Sequence, residues 1–184
     1  MFSDEVYREL EHDPADRLPA ACDLSGRAVS LGSISKSYGL PGLRLGWLVT
    51  RDAAVREAVS TLKDYTTICS SAPSELLTAV ALRNRQVLLD RNLAIVRRNL
   101  PLLDSFFERH PDTFAWTRPA ASPIGFPRVT GLGDLTRFCA ELAGAGVLLL
   151  PGSVYDEPDH VRVGFGRANM ADALGVLEAR LNDR

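Results

Sequence analysis

Ser33-Ile34-Ser35-Lys36-Ser37-Tyr38-Gly39-Leu40-Pro41-Gly42-Leu43-Arg44-Leu45-Gly46 is the run from which the rest of the chain is read. One amine, Lys36, is flanked by small hydroxyl residues, then by two glycines and by an arginine eight positions on. A lysine that forms an imine attacks as the neutral amine and needs room around it. Ser35 and Ser37 leave that room. Gly39 and Gly42 permit backbone geometry that a side chain would obstruct. Arg44 can clamp a phosphate through two parallel hydrogen bonds, which a lysine does less well. The pattern SxSKxxGxxGxRxG suits an amine that bonds a carbonyl beside a bound phosphate. A surface loop with an incidental lysine leaves this strict spacing unexplained.

Around this loop the pattern predicts strands. Arg27 to Ile34 reads as one, and Leu43 to Thr50, rich in Leu, Trp and Val, as another. Asp52 is placed to N-cap a helix running to about Lys63, with an irregular stretch after it from Asp64. Pro73 and Glu75 open a second helix. Leu93, Val96, Leu100, Leu103 and Phe107 keep helical spacing in a third, from about Asp90 to Arg109. Its arginines read as a solvated face. Beyond Pro111 the pattern predicts short strands at Thr113 to Thr117, Ile124 to Val129, Val147 to Leu150 and His160 to Phe165. Helices are expected at Leu135 to Ala143 and from Met170 to Leu181. The order is α/β at first and α+β toward the end.

Composition narrows the class. The 184 residues are 46% hydrophobic and 24% charged, with 21 basic against 23 acidic side chains. A net charge of −2 gives no footprint for nucleic acid. Lys36 and Lys63 are the two lysines. Cys22, Cys69 and Cys139 are odd in number, without a CxxC pair, and read as idle thiols of a reducing cytosol. His12, His110 and His160 show no metal-ligand spacing, so no metal is expected. No signal peptide is visible and no apolar run is long enough to cross a bilayer. The expectation is a cytoplasmic protein with no membrane or nucleic-acid partner.

Two further segments draw attention. Asp4-Glu5-Val6-Tyr7 is either the acidic start of a helix or a pair of side chains presented to a site. In His160-Val161-Arg162-Val163-Gly164-Phe165, an arginine sits inside an apolar strand, where burial without a partner is costly. It is either one half of a structural ion pair or an anion-binding residue.

Together these segments resemble the class I/II aminotransferases, fold-type I enzymes that depend on pyridoxal phosphate (PLP). The resemblance runs from Asp4 to the final helix but matches only the C-terminal half of a complete member. It implies an α/β fold in which residues 1–95 form the C-terminal part of the PLP-binding large domain. Residues 96–184 would be a small C-terminal α+β domain. It implies that Lys36 is catalytic and bonds the cofactor covalently. Asp4 would face the ring nitrogen, Tyr7 the ring oxygen, and Ser33, Ser35 and Arg44 the phosphate. Arg162 would grip the substrate carboxylate, with Pro151-Gly152-Ser153-Val154-Tyr155 resembling the PGxxF segment that precedes that strand. The implied activity is amino-group transfer between an amino acid and a 2-oxo acid, in a homodimer or with a chain supplying the other half-site. Cyclisation, decarboxylation and elimination on the same fold are alternatives, as is a catalytically silent, truncated interaction module. Only Met1-Phe2-Ser3 precede Asp4, and so short a stub is expected to pair poorly and to leave Asp4 and Tyr7 frayed.

Overall fold

A computed structural model describes residues 1–183. The chain divides into two compact units, Met1–Asn92 and Leu93–Arg184. The class is α/β, as the strand and helix patterns require.

The first unit is built on a three-stranded sheet. Its strands are β1 (Phe2–Asp4), β2 (Val29–Ser33) and β3 (Gly46–Thr50), in that order. Contrary to expectation, the short N-terminal stub is paired. Phe2, Ser3 and Asp4 lie parallel to Val29, Ser30 and Leu31. Three residues suffice because both ends of the strand are tied: Val29 N donates to Met1 O at 2.9 Å and Glu5 N to Leu31 O at 2.9 Å. The other side of β2 pairs antiparallel with β3, which sets Ser33 opposite Gly46. The ends of the lysine loop are thereby pinned together. Strand β3 is shorter than its apolar pattern suggests, because Pro41–Leu43 forms a 3-10 turn before it.

Helix α1 (Ala21–Leu24) follows the loop after β1 and precedes β2. Helix α2 (Ala53–Thr66) is capped by Asp52, whose carboxylate accepts from Ala54 N and Val55 N. It runs three residues past Lys63 and absorbs part of the stretch expected to be irregular. Helix α3 (Ala72–Arg83) follows, then α4 (Arg85–Arg109), which begins before the first expected position. Pro101 removes one amide donor from α4 without ending it. Ile34, Tyr38, Ala81 and Leu89 form the first unit's small core.

The second unit has the larger core. The outer part of α4 contributes Val96, Leu100, Leu103, Phe106 and Phe107. They pack with Phe138 and Leu142 of α5 (Leu135–Gly144) and with Leu174 and Leu177 of α6 (Met170–Asn182). Each such side chain contributes roughly 1.5–3 kcal/mol on burial. The strands here are short: β4 (Phe114–Ala115) pairs with β6 (Arg128–Val129). The remaining sheet has β5 (Ile124–Gly125), β8 (Val161–Gly164) and β7 (Leu150–Pro151) in the order β5-β8-β7. The run Val147 to Leu150, expected to be a strand, is therefore one only at its last residue. Leu149 is buried, Leu148 is 82% exposed, and pairing begins only at Leu150.

Candidate active site

The lysine loop leaves β2 at Ser33 and is folded by its own hydroxyls. Ser33 Oγ accepts from Ser35 N at 3.0 Å and lies 2.6 Å from Ser35 Oγ. Ile34 is fully buried and Leu40 N donates to its carbonyl at 3.1 Å. Ser37 and Tyr38 are buried too, so Lys36, exposed between them, points away from the core. Gly39 closes the turn with a φ of 69°, a conformation costly for a residue bearing a Cβ, and its N donates to Lys36 O at 3.1 Å. One link in this loop runs against preference. Arg44 has a φ of 54°, left-handed for a non-glycine residue. Its Nη1 donates to Pro41 O at 2.8 Å, which helps hold the turn.

Tyr7 is brought to this loop. The Lys36 ammonium lies 5.8 Å from the centre of the Tyr7 ring, within cation-π range. The tie that holds Tyr7 there is Ser37. Its hydroxyl lies 3.0 Å from Val6 O and 2.5 Å from Arg8 O, the carbonyls on either side of Tyr7. Asn92 Nδ2 donates to Ser37 O at 2.9 Å and fixes the loop from α4. Asp4 ends β1 level with Leu31 and accepts from Val6 N at 3.2 Å, so it is ordered rather than frayed.

Charged groups behind the loop are held by hydrogen bonds. Burial works to raise the pKa of Glu5, but bonds from Ala21 N and Ser30, with help from Ser3 and the Arg8 charge, bring it below the usual value. Tyr38 donates to Glu9 Oε2 at 2.9 Å. Burial, then that bond and the Glu9 charge, push the phenol up to about 12. A cavity of about 200 Å³ opens here, lined by Glu5, Ser33, Ser37 and Tyr38 but not by Lys36. It is space behind the lysine loop, not in front of the amine.

Arg162 belongs to the second unit. Its Nη1 donates to Tyr155 Oη at 2.7 Å, and its guanidinium lies 6.0 Å from the centre of that ring. Sequence spacing suggested no metal ligands, yet Glu157, Asp159 and His160 bring one atom each within 4.8 Å of the others. Asp159 is already engaged there: Arg128 Nε donates to it at 2.7 Å and His160 Nδ1 lies 2.7 Å away.

Lys36, Tyr7, Asp4, Ser33, Ser35 and Arg44 thus share the first unit, around the open ends of β1 and β2. The contacts that Ser37, Asn92 and Tyr155 make around the predicted site residues were not foreseen from the sequence. Asn92 left a trace in the sequence, a polar residue on the stripe of Leu89, Leu93 and Val96. Ser37 left none beyond its place beside Lys36.

The sequence profile of the family "Aminotransferase class I and II" matches residues 1–176. The chain belongs to the class I and II aminotransferases. It is 34% identical over 184 residues to capreomycidine synthase of Streptomyces vinaceus, covering 98% of this chain and 47% of that protein. The structure of a PLP-dependent aminotransferase from Streptococcus suis superposes with a TM-score of 0.90 at 31% identity, covering 99% of this chain and 48% of that one. That of the PLP-dependent cyclase OrfR gives 0.90 at 31%, covering 100% and 50%. The chain thus spans about half the length of these relatives. Class I and II aminotransferases depend on PLP, and the residues present suit it. An exposed amine stands beside a phenol, and two serine hydroxyls sit at the end of β2.

Proposed function

We propose that this chain provides the lysine-bearing part of a PLP-dependent enzyme that moves amino groups between an amino acid and a 2-oxo acid. PLP, when bound, supplies an electron sink that weakens bonds at the α-carbon of an amino acid. In this reading Lys36 holds the cofactor and, once released, carries the proton at the α-carbon. Asp4 keeps the ring nitrogen protonated, and Tyr7 donates to the ring oxygen. Ser33, Ser35 and Arg44 bind the phosphate, and Arg162 orients the substrate by its carboxylate. Residues 1–95 serve as part of the cofactor-binding domain and residues 96–184 as the small domain. The protein works in the cytoplasm as a homodimer or with a chain that completes the half-site. No helix among the described residues is long and apolar enough to cross a membrane.

The observation that carries the reading is the placement of the Tyr7 ring 5.8 Å from the Lys36 amine. The two residues are far apart in sequence and are joined through a buried serine. The test is transfer of ¹⁵N from a labelled amino acid to a 2-oxo acid by the PLP-loaded protein. Label is expected in the new amino acid, and Lys36→Ala is expected to abolish it. Transfer that survives Lys36→Ala would contradict the assignment.

The likeness to capreomycidine synthase and to the cyclase OrfR favours a second reading, a cyclase on the same scaffold. The two part cleanly in one experiment. A transaminase given an amino acid alone stops after converting its own cofactor and resumes when a 2-oxo acid is added. A cyclase turns over repeatedly with no acceptor.

A further inference from the structure

We infer that Ser37 is a positioning residue that sets the Tyr7 phenol against Lys36, where it can serve the cofactor's ring oxygen. The inference rests on the reading of Lys36 and Tyr7 as the amine and the phenol that hold PLP. Ser37 itself has no part in that reading.

Tyr7 sits in the turn that leaves β1. Glu5 N donates to Leu31 O at 2.9 Å, and Arg8 N donates to Glu5 O at 2.9 Å, which closes the turn. The residues on either side of Tyr7 are then tied to the lysine loop. Ser37 is 2% exposed, and its hydroxyl lies 3.0 Å from Val6 O and 2.5 Å from Arg8 O. A hydroxyl has one proton to donate, so the two carbonyls share it. Held at both neighbours, Tyr7 is fixed in tilt as well as in place. Next along the loop, Tyr38 donates to Glu9 Oε2 at 2.9 Å. The two residues that follow Lys36 thus fasten the turn that carries Tyr7.

Packing alone does not do this. Val6, Arg8 and Glu9 of the turn and Ser37 and Tyr38 of the loop all line the cavity of about 200 Å³ behind the lysine. Where side chains face a void, dispersion contacts are lost, and the spacing of two segments depends on their polar ties. Ser37 is fixed in its turn from α4, where Asn92 Nδ2 donates to Ser37 O at 2.9 Å. The same amide stands beside Gly39, where an added Cβ would meet Asn92 Nδ2 at 3.1 Å. Ser37 takes its place from α4 and sets where the turn carries the Tyr7 ring, whatever else that side chain touches.

Placement matters because a hydrogen bond weakens steeply as its geometry departs from linear. A turn released from Ser37 keeps its closure through Glu5 and Arg8 but lets the phenol drift. The loss falls on ligands that offer an oxygen to that phenol. The bond to Lys36 itself is left intact.

The test compares PLP with 3-deoxypyridoxal phosphate, the same molecule without its ring oxygen, as ligands of the full chain. Apparent affinity is read by mass spectrometry, as the fraction of protein carrying a borohydride-reduced adduct on Lys36. Ser37→Ala is expected to weaken PLP about fivefold, the scale of one hydrogen bond, and to leave the deoxy compound within about twofold. Tyr7→Phe is expected to give the same pattern, and adding Ser37→Ala to it is expected to cost nothing more, since the two act through one contact. Ser37→Thr keeps the hydroxyl, has the cavity to receive its methyl, and is expected to hold PLP within about twofold of wild type. Should circular dichroism show Ser37→Ala unfolded, Ser37→Cys, close in size and a weaker donor, takes its place in each comparison. If Tyr7→Phe weakens PLP and Ser37→Ala does not, the positioning role is wrong. If Ser37→Ala weakens both ligands equally, or costs as much again in the Tyr7→Phe background, the residue is merely structural and the inference also fails. If Tyr7→Phe leaves PLP unaffected, or Lys36 takes no adduct, the reading of Tyr7 and Lys36 itself falls.

Discussion

Tyr38 shows how much a single buried contact behind the lysine loop contributes. Its phenol is pushed up from 10.0 to about 12 by burial and by Glu9. The folded state therefore grips this proton more tightly than the unfolded state does. The stabilisation is complete below the unfolded value and is lost as pH rises from 10.0 through about 12. Urea melts of wild type and Tyr38→Phe, at about pH 9 and about pH 12, measure the difference. The wild type is expected to lose on the order of 2 kcal/mol more than the variant over that range. Equal losses would contradict the account. Glu5 and Glu11 behave in the opposite sense. Burial opposes their ionisation, but hydrogen bonds win and both lie below 4.5. Their contribution is present above that value and fades as pH falls through the folded pKa. At this scale the sequence was legible where local spacing shapes the backbone, as at Gly39, which turns the Lys36 loop with a positive φ. It was silent on Ser37, whose hydroxyl partners lie 31 and 29 residues away. It was silent on Tyr155 as well, because only the pairing of β7 with β8 carries that phenol to Arg162.

Among the elements, helix signals were the clearest. Asp52 and Asp134 cap α2 and α5 by accepting two amides each. Asp134→Ala is expected to cost about 1 kcal/mol in a denaturant melt. Asn99 offers a sharper test. It is 1% exposed, and its Nδ2 donates to Phe165 O at 2.9 Å and to Arg167 O at 2.6 Å. It thereby joins α4 to the segment after β8. Asn99→Ala strands two carbonyls and is expected to cost about 2–3 kcal/mol, whereas an unchanged midpoint would mean that water replaces the bonds. Strands were harder to read. The pairing of β1 depends on Val29 to Leu31, out of reach of any local pattern. In Val147 to Leu150 the apolar run overstated the strand, because β8 offers pairing only from Leu150 onward.

At the scale of the whole molecule, the first unit leaves much apolar surface uncovered. Leu76 is 67% exposed, Val87 69%, Leu77 53% and Val80 47%, and Leu48 and Val49 of β3 are open as well. Neither β1 nor β3 has a second partner strand among the described residues. Surfaces of this kind associate in water. The chain on its own is expected to sediment as concentration-dependent oligomers, and Leu77→Glu with Val80→Glu is expected to shift it toward monomer. A wild-type monomer at all concentrations would contradict this. The central claim is that one amine of this chain takes PLP, and peptide mapping after borohydride reduction of the PLP-loaded protein tests it most directly. The expected result is a single reduced adduct on Lys36 and none on Lys63. An adduct on Lys63, or none on either lysine, would contradict the claim.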